Sequence, residues 1–171
     1  ADALLAMMQR EALANDAIET VPARVQQAAI DVLGPVTDPR TIHQAKFSIG
    51  SVLGLIAVHG DASLASFRDH ALQDEAVADF RRRVSMVLDP EVDAAYPRRW
   101  LGRIDVTTRD GRQLSAAIDE PKGDPGNTLS RDELEAKVRR LVTFSGAASD
   151  EETAKLIAHG WNLPAGRKSG G

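Results

Sequence analysis

The chain has 171 residues, of which 43% are hydrophobic and 27% charged, with a formal net charge of −4. This length and balance are typical of one globular domain, or of a small domain with an appendage. The negative charge argues against a nucleic-acid-binding protein, and the absence of cysteine excludes disulfides and thiolate metal sites.

The chain begins in a helical pattern. Leu4, Leu5, Met8 and Leu13 recur at helical spacing and predict an amphipathic helix over residues 2–14. Because no initiator Met precedes this pattern, we expect the chain to be cut from a longer protein. No secretory signal pattern is present, and the longest apolar run, 49–58, is shorter than the roughly 20 residues that span a bilayer. These features predict a cytoplasmic protein with no membrane contact.

The first strand is predicted at residues 18–25, continuing loosely to Ile30, because apolar and polar residues alternate there. Pro22 has no N–H to donate to a neighbouring strand, so we expect this strand to lie at a sheet edge or to carry a bulge at Pro22. Gly34-Pro35 and Asp38-Pro39 mark the loop that follows.

A helix over residues 48–58 is apolar on nearly every face, which is typical of a buried helix. Thr41 is a candidate N-cap, and Gly60 lies past the helix end. Gly50 and Gly54 share one face, although each costs about 1 kcal/mol of helix propensity. We therefore expect another backbone to approach the helix closely along that face.

The middle of the chain alternates short helices with strands. Ser63 begins a short helix over 64–67, and Asp74 begins a helix to Arg82 with Val77 and Phe80 inward. Residues 83–88 alternate as a strand, which Asp89-Pro90 ends, and 91–99 are predicted to form a loop.

A hairpin is predicted where the alternating segments 103–108 and 112–118 flank Asp110-Gly111, a pair that favours a primed turn. Two capping boxes, Ser130 with Glu133 and Ser149 with Glu152, then predict two helices. The first should run to about Phe144 and the second through Ile157. The first helix should bury Leu134, Val138, Leu141 and Val142.

These elements predict an α+β fold: a mostly antiparallel sheet of about four strands with helices on one face, followed by the C-terminal helices. Those last helices could belong instead to a neighbouring all-helical body. Residues 164–171 are predicted to be a disordered tail.

A polar group precedes the buried helix: Arg40, His43, Lys46 and Ser48. Unpaired N–H groups at a helix start favour anions, so this group predicts a carboxylate-binding site. The alternative is that Lys46 extends into solvent and Ser48 only hydrogen-bonds the first helical turn.

Other candidate groups carry weaker signals. The four histidines, His43, His59, His70 and His159, lack the spacing of a helical metal site, so we predict no metal. His59 suits the C-terminal end of its helix, and His70 and His159 are interpreted as surface residues. The run Arg81-Arg82-Arg83 is interpreted as a solvated face rather than an anion site.

The stretch Asp38-Pro39-Arg40-Thr41, followed by Ala45-Lys46-Phe47-Ser48, resembles a hallmark of the MmgE/PrpD family. Further similarities follow in order: the helix 52–60 with Ala62, Phe67 and Asp74, then Asp89-Pro90, the Asp110-Gly111 hairpin, and the run from Lys122 to Lys137. Each is weak alone, but the order is specific and covers about residues 2–160.

The resemblance implies a class of chemistry. Family members include 2-methylcitrate dehydratase, cis-aconitate decarboxylase and iminodisuccinate epimerase, which act on small di- and tricarboxylates without a metal or iron–sulfur cluster. They usually form homodimers with a large all-α domain and a smaller α+β domain. A proton is removed next to a carboxylate, which requires a base, an acid and cations.

The chain resembles only the C-terminal part of such enzymes, since most catalytic residues of the family lie in the N-terminal helical domain. We therefore expect residues 1–16 to be a leading helix of the large domain, 17–122 the α+β lid and 123–163 the closing helices. A tyrosine used by the decarboxylase branch aligns near Leu33, and Tyr96 does not fill that position, which argues against decarboxylation.

The resulting prediction is the lid of a lyase or isomerase that is inactive alone and contains no catalytic residue or cofactor. Its substrate-binding residues would be Lys46, Ser48, Arg40 and His43. Its partners would be a polycarboxylate, the N-terminal helical domain of the same parent protein and a second copy of the chain. The alternative is a non-catalytic subunit or relic of the family that serves dimerisation or partner binding.

Overall fold

The computed structural model describes residues 1–163, which fold as an α+β protein, as predicted. The helices are α1 Asp2–Arg10, α2 Gln27–Leu33, α3 Ile42–Lys46, α4 Ile49–His59, α5 Leu64–Asp69, α6 Glu75–Arg82, α7 Pro90–Ala95, α8 Arg131–Ser145 and α9 Asp150–Trp161, with a 3-10 turn at Asn15–Ala17. The strands are β1 Ile18–Val25, β2 Val84–Leu88, β3 Gly102–Thr108 and β4 Gln113–Ile118. None of these helices is both long enough and apolar enough to span a membrane.

The chain divides into two compact units, Ala1–Thr128 and a second unit that begins at Leu129. The predicted domain boundaries, which assign residues 1–16 and 123–163 to a larger helical body, stay a prediction. The predicted tail, 164–171, lies outside the described residues.

The first unit is organised on a mixed sheet of four strands in the order β2-β1-β3-β4. β1 pairs with β2 in parallel and with β3 antiparallel, and β3 pairs antiparallel with β4. Two of the three pairings are therefore antiparallel, in agreement with the predicted fold class.

The prediction for Pro22 is wrong, because β1 is an interior strand and its irregularity lies between Ile18 and Thr20. The N–H of Val21 donates to the carbonyl of Arg83 on the β2 side at 2.9 Å, so the nitrogen of Pro22 faces β3. The pairing with β3 passes from Thr20 to Ala23. Pro22 therefore lies at a break in the β1–β3 ladder, because it has no N–H to donate to β3.

Two segments predicted as extended or irregular are helical instead. β1 ends at Val25, and α2 follows, with the N–H of Gln27 donating to Oδ1 of Asp93 at 2.8 Å. Part of the predicted 91–99 loop is α7, which Asp89 caps by accepting hydrogen bonds from the N–H groups of Glu91 and Val92. Proline at the first helical position favours such a start, so the dipeptide that ends β2 also begins α7.

The predicted hairpin is confirmed, with β3 and β4 in antiparallel register from Gly102 opposite Ile118 to Thr107 opposite Gln113. Its turn is not the predicted primed type. Gly111 has φ +87°, whereas the only non-glycine residue with positive φ in the described chain is Ala12. The N–H of Gly111 donates to the carbonyl of Thr108, which gives a longer loop closed by a left-handed glycine.

The main core lies between one face of the sheet and the helices α1, α4 and α6. Fully buried members include Leu4 and Met7 of α1, Val21 of β1 and Phe80 of α6. Alternation along β3 places Ile104 and Val106 in this core, which leaves the opposite sheet face polar.

Helix α4 is buried as predicted and contributes to two clusters. Leu53 and Ile56 belong to the main core, whereas Leu55 packs with Phe67 and Val77 in a second cluster. Because α4 packs in both clusters, both of its ends are held in place relative to the sheet.

The second unit contains α8 and α9, and both predicted capping boxes are present, at Ser130 with Glu133 and at Ser149 with Glu152. The prediction that Leu134 and Leu141 are inward is wrong for this chain, since they are 38% and 43% exposed. Helix α8 has no buried residue within the described chain. Val138 and Val142 are half-buried, so the apolar side of α8 is only partly covered within this unit.

Candidate functional site

The start of α4 is fixed by its N-cap, Ser48, which is 1% exposed and accepts a hydrogen bond from the N–H of Ser51 at 3.4 Å. Thr41, predicted as this cap, instead caps the separate helix α3 by accepting from the N–H of Gln44. The hydroxyl of Ser51 is also buried and has no hydrogen-bond partner among residues 1–163. The first turn of α4 therefore combines a helix N-terminus with a buried hydroxyl.

A cavity of about 630 Å³ opens beside this first turn. Its lining comes from α2 and the following loop, the start of α4, the end of α6 and β2: Ile30, Leu33, Gly34, Val36, Thr37, Ser48, Ile49, Gly50, Arg81, Arg82, Val84, Ser85 and Met86. The titratable groups in this lining are cationic, and the N-terminus of α4 adds partial positive charge. The cavity is therefore suited to an anion.

Arg81 lines this cavity but is not among the binding residues predicted from the sequence. Its side chain is 12% exposed, and Nη2 lies 3.1 Å from Oδ1 of Asp38, whose Oδ2 lies 2.7 Å from Nη2 of Arg40. One carboxylate thus pairs with two arginines. Arg81 lies one helical turn after the buried Val77, and this spacing could have indicated that Arg81 faces inward.

The other arginines of the run behave differently. Arg82 is 67% exposed, as expected for a solvated residue. Arg83 is half-buried and donates hydrogen bonds to the carbonyls of Asn15 and Ile18, at 3.0 and 2.9 Å. Arg83 therefore ties the start of β1 to the end of α6, which is a structural role.

Only one of the four predicted binding residues, Ser48, lines the cavity. Arg40 is 81% exposed and is connected to the cavity through Asp38. His43 and Lys46 are exposed on α3. The His43 ring lies 5.1 Å from that of Phe47, and Nζ of Lys46 lies 6.0 Å from the ring centroid of Phe67. The candidates thus form an exposed rim next to a buried cap, and not one enclosed pocket.

A second polar cluster lies at the other end of α4. Nε2 of His59 is 2.8 Å from Oδ2 of Asp74, Nδ1 of His70 is 3.9 Å from the same oxygen, and the two imidazole rings stack with centroids 3.9 Å apart. Burial raises the pKa of Asp74, but hydrogen bonds from His59 and from the N–H groups of Ala76 and Val77 outweigh it, so the pKa is lowered. No local pattern in the sequence indicates this cluster.

A third group of charges lies on the polar face of the sheet. Asp89 is 2% exposed and lies 2.6 Å from Nη2 of Arg24 and 3.6 Å from Nη1 of Arg103. Hydrogen bonds from the N–H groups of Val92 and Glu91 and the charge of Arg24 lower the pKa of Asp89 despite its burial. Because Asp89 also caps α7, this group joins β1, β3 and α7, which is a structural role.

Within the second unit, α8 and α9 enclose an apolar groove of about 330 Å³, lined by Leu134, Glu135, Val138, Leu156, Ile157, Gly160 and Trp161. Leu156 is 58% and Trp161 43% exposed. Nε1 of Trp161 donates to Oε1 of Glu135 at 2.9 Å, so the indole is held at the groove rim. Apolar side chains exposed in one contiguous patch are typical of an interaction surface.

In a comparison with known families, residues 1–163 match the model of the MmgE/PrpD C-terminal domain. A search of curated protein sequences finds no match. The family match covers every residue that the structure describes.

Proposed function

The chain belongs to the MmgE/PrpD family, and on this premise we propose that it is the C-terminal lid of a lyase or isomerase acting on small di- or tricarboxylates. The lid closes over a substrate that is held mainly by an N-terminal helical domain of the same parent protein. The observation that carries this proposal is the cationic cavity at the start of α4, which suits a carboxylate.

The proposed roles follow from charge and exposure. Lys46, His43 and Arg40 are exposed, so their side chains can reach carboxylates presented from outside this unit, although Arg40 also pairs with Asp38. Ser48 fixes the first turn of α4, whose N–H groups favour a negative charge. Arg81 adds a positive charge inside the cavity, held in place by Asp38.

The chemistry requires groups that this chain lacks at the cavity. Removing a proton next to a carboxylate takes a general base, and the carbanion that forms needs cations or hydrogen-bond donors nearby. The cavity lining contains arginines and hydroxyls but no carboxylate or histidine. We therefore assign charge stabilisation to this chain and proton transfer to the helical domain, so the chain alone is inactive.

The apolar groove on α8 and α9 supports the proposed partner. Leu134, Leu156 and Trp161 expose apolar surface that a helical body would cover. The proposal also includes the homodimeric, cytoplasmic state that is usual for the family.

A second candidate function rests on the same groove. The chain would then be a non-catalytic subunit whose exposed helices bind a partner or a second copy. Its mass in solution and its effect on a separately expressed helical domain distinguish the two functions.

The decisive experiment starts from the coding sequence upstream of Ala1. If it encodes a helical domain, that domain and this chain are purified separately and assayed with 2-methylcitrate and cis-aconitate, alone and mixed. We expect no turnover by either part and turnover by the mixture. Substantial turnover by this chain alone contradicts the lid function, and a stable complex without turnover of either acid favours the non-catalytic subunit.

A further inference from the structure

His59, His70 and Asp74 form a compact cluster of three side chains from the ends of three helices, which we name the histidine–aspartate cluster. One ligand atom of each residue lies within 4.8 Å of the others. We propose that this cluster binds one divalent transition-metal ion, and that Zn²⁺ is the ion it fits best.

The spacing of the ligand atoms is close to what zinc requires. Tetrahedral zinc with bonds of about 2.0–2.2 Å places its ligand atoms about 3.3–3.6 Å apart. The distances to Oδ2 of Asp74 bracket that range, at 2.8 Å from Nε2 of His59 and 3.9 Å from Nδ1 of His70. The two imidazole rings stack with centroids 3.9 Å apart, so binding would require at least one ring to turn until both nitrogens face the ion.

The ligand types select among metals. Two imidazoles and one carboxylate form a set that binds zinc in proteins, with water as the fourth ligand. Imidazole also suits Cu²⁺ and Ni²⁺, whereas Mg²⁺ and Ca²⁺ prefer oxygen ligands. The cluster should therefore discriminate strongly against magnesium.

The surrounding structure orients the carboxylate. Oδ1 of Asp74 accepts hydrogen bonds from the N–H groups of Ala76 and Val77 at 2.9 and 3.4 Å, because Asp74 is the N-cap of α6. These bonds fix the carboxylate and leave Oδ2 directed at the two histidines. Such outer hydrogen bonds are a recurring feature of metal sites.

The positions of the histidines also favour a cation. His59 is the last residue of α4, where the unpaired carbonyls carry partial negative charge. His70 is the C-cap of α5, so the same argument applies to a second helix. The side chains are 25%, 40% and 23% exposed for His59, His70 and Asp74, which leaves a route for an ion and for water.

The cluster is independent of the proposed carboxylate cavity. His59 and Ser48 lie at opposite ends of α4, about 16 Å apart at 1.5 Å per residue. A bound ion would join the ends of α4, α5 and α6, and its effect would be on the stability of this unit and not on proton transfer. The sequence predicts no metal because the histidines lack the spacing of a helical metal site. That criterion does not detect residues that come together only on folding.

The test uses the chain without an affinity tag and measures Zn²⁺ by equilibrium dialysis, with Co²⁺ absorption as a report on coordination geometry. We expect one equivalent of Zn²⁺ per chain and a tetrahedral Co²⁺ spectrum. His70→Gln should weaken Zn²⁺ binding by more than about 10-fold. Asp74→Asn should do the same while retaining a good N-cap.

The matched control is His159→Gln, because His159 is an exposed histidine in the second unit. It should bind Zn²⁺ as the unchanged chain does. Zn²⁺ should raise the Tm of the unchanged chain and of His159→Gln but not of His70→Gln, since only a folded-state site stabilises the fold.

Two results would overturn the proposal. One is that the unchanged chain binds no Zn²⁺, which would leave His59 and Asp74 as a hydrogen-bonded pair only. The other is that His70→Gln and Asp74→Asn, with helical content retained by circular dichroism, bind Zn²⁺ as tightly as the control.

Discussion

The carbonyl oxygen of Val77 lies 2.9 Å from the point that a Cβ on Gly54 would occupy. A Cβ on Gly50 would similarly meet Arg81, at 2.7 Å from Cγ and 3.1 Å from the carbonyl oxygen. The two glycines therefore let the backbones of α4 and α6 touch, as the sequence predicted. This contact also brings Arg81 to the first turn of α4, so the packing of two helices positions the charge in the cavity.

Gly54→Ala should destabilise the first unit by about 1–3 kcal/mol, because the added methyl group would overlap the α6 backbone. The overlap should cost more than the roughly 1 kcal/mol that alanine gains over glycine in helix propensity, so the net effect should be destabilising. Amide hydrogen exchange at α4, measured by mass spectrometry, reports the free energy of opening.

Gly160→Ala is the control, because Gly160 is helical and a Cβ there would meet nothing within 4 Å. It should slow exchange at α9. Equal stabilisation by both substitutions would show that α4 and α6 do not pack at backbone distance.

Asp89→Asn should lower the free energy of unfolding at neutral pH. The free energy of unfolding of this variant should also fall less than that of the unchanged chain as the pH is lowered. The hydrogen bonds that lower the pKa of Asp89 in the folded chain mean that the unfolded chain binds a proton more readily. The stabilisation is therefore present above the ordinary aspartate pKa of about 3.9 and is lost as the pH falls through the lower folded value.

Urea unfolding from neutral pH down to about pH 3 tests this, since the range includes the ordinary aspartate pKa. The difference between Asp89→Asn and the unchanged chain should shrink as the pH falls. Asp119→Asn, at a 78% exposed partner of Arg99, should have little effect at any pH. If the two chains differ in free energy of unfolding by the same amount at every pH, the charge of the Asp89 carboxylate is not the cause of the difference.

Lys46→Met should leave the free energy of unfolding within about 0.5 kcal/mol of the unchanged chain, because Lys46 is exposed. If the lid function is correct, the same substitution should lower turnover by the mixture of this chain and its helical domain by at least 10-fold, about 1.4 kcal/mol. Lys155→Met, at a 72% exposed lysine of α9, serves as the charge-matched control. Equal activity of the two variants would remove Lys46 from the proposed binding residues.

Leu156→Glu should not unfold the chain, since Leu156 is 58% exposed, but should weaken binding to the helical domain by at least 10-fold. The reason is that a carboxylate would be buried without a partner in the apolar groove. Sedimentation or calorimetric titration measures this affinity. The control is Leu72→Glu, at an exposed leucine of the first unit, which should bind the helical domain normally. If both variants lose the same affinity for the helical domain, the groove on α8 and α9 is not the contact surface.

Much of the fold was determined by local chemistry. Ser63, Asp74, Ser130 and Ser149 cap helices where the sequence predicts helix starts, because a cap needs only a side-chain oxygen and the next few N–H groups. The hairpin followed from alternation around Gly111 for the same reason. Even the close packing of α4 was indicated by two glycines on one helix face.

The remaining features depended on tertiary structure. Strand order decided that Pro22 lies in an interior strand, since an edge is a property of the sheet and not of the strand. Packing of α4 against α6 buried Arg81 beside the first turn of α4 while leaving Arg82 in solvent. His59 and Asp74 meet only because α4 ends where α6 begins in space. By itself the sequence determined most of the strands and helices, the caps at Ser63, Asp74, Ser130 and Ser149, and the family, because these depend on local sequence patterns. The tertiary structure alone decided which distant side chains share a cavity or a cluster, because that depends on how the completed elements pack.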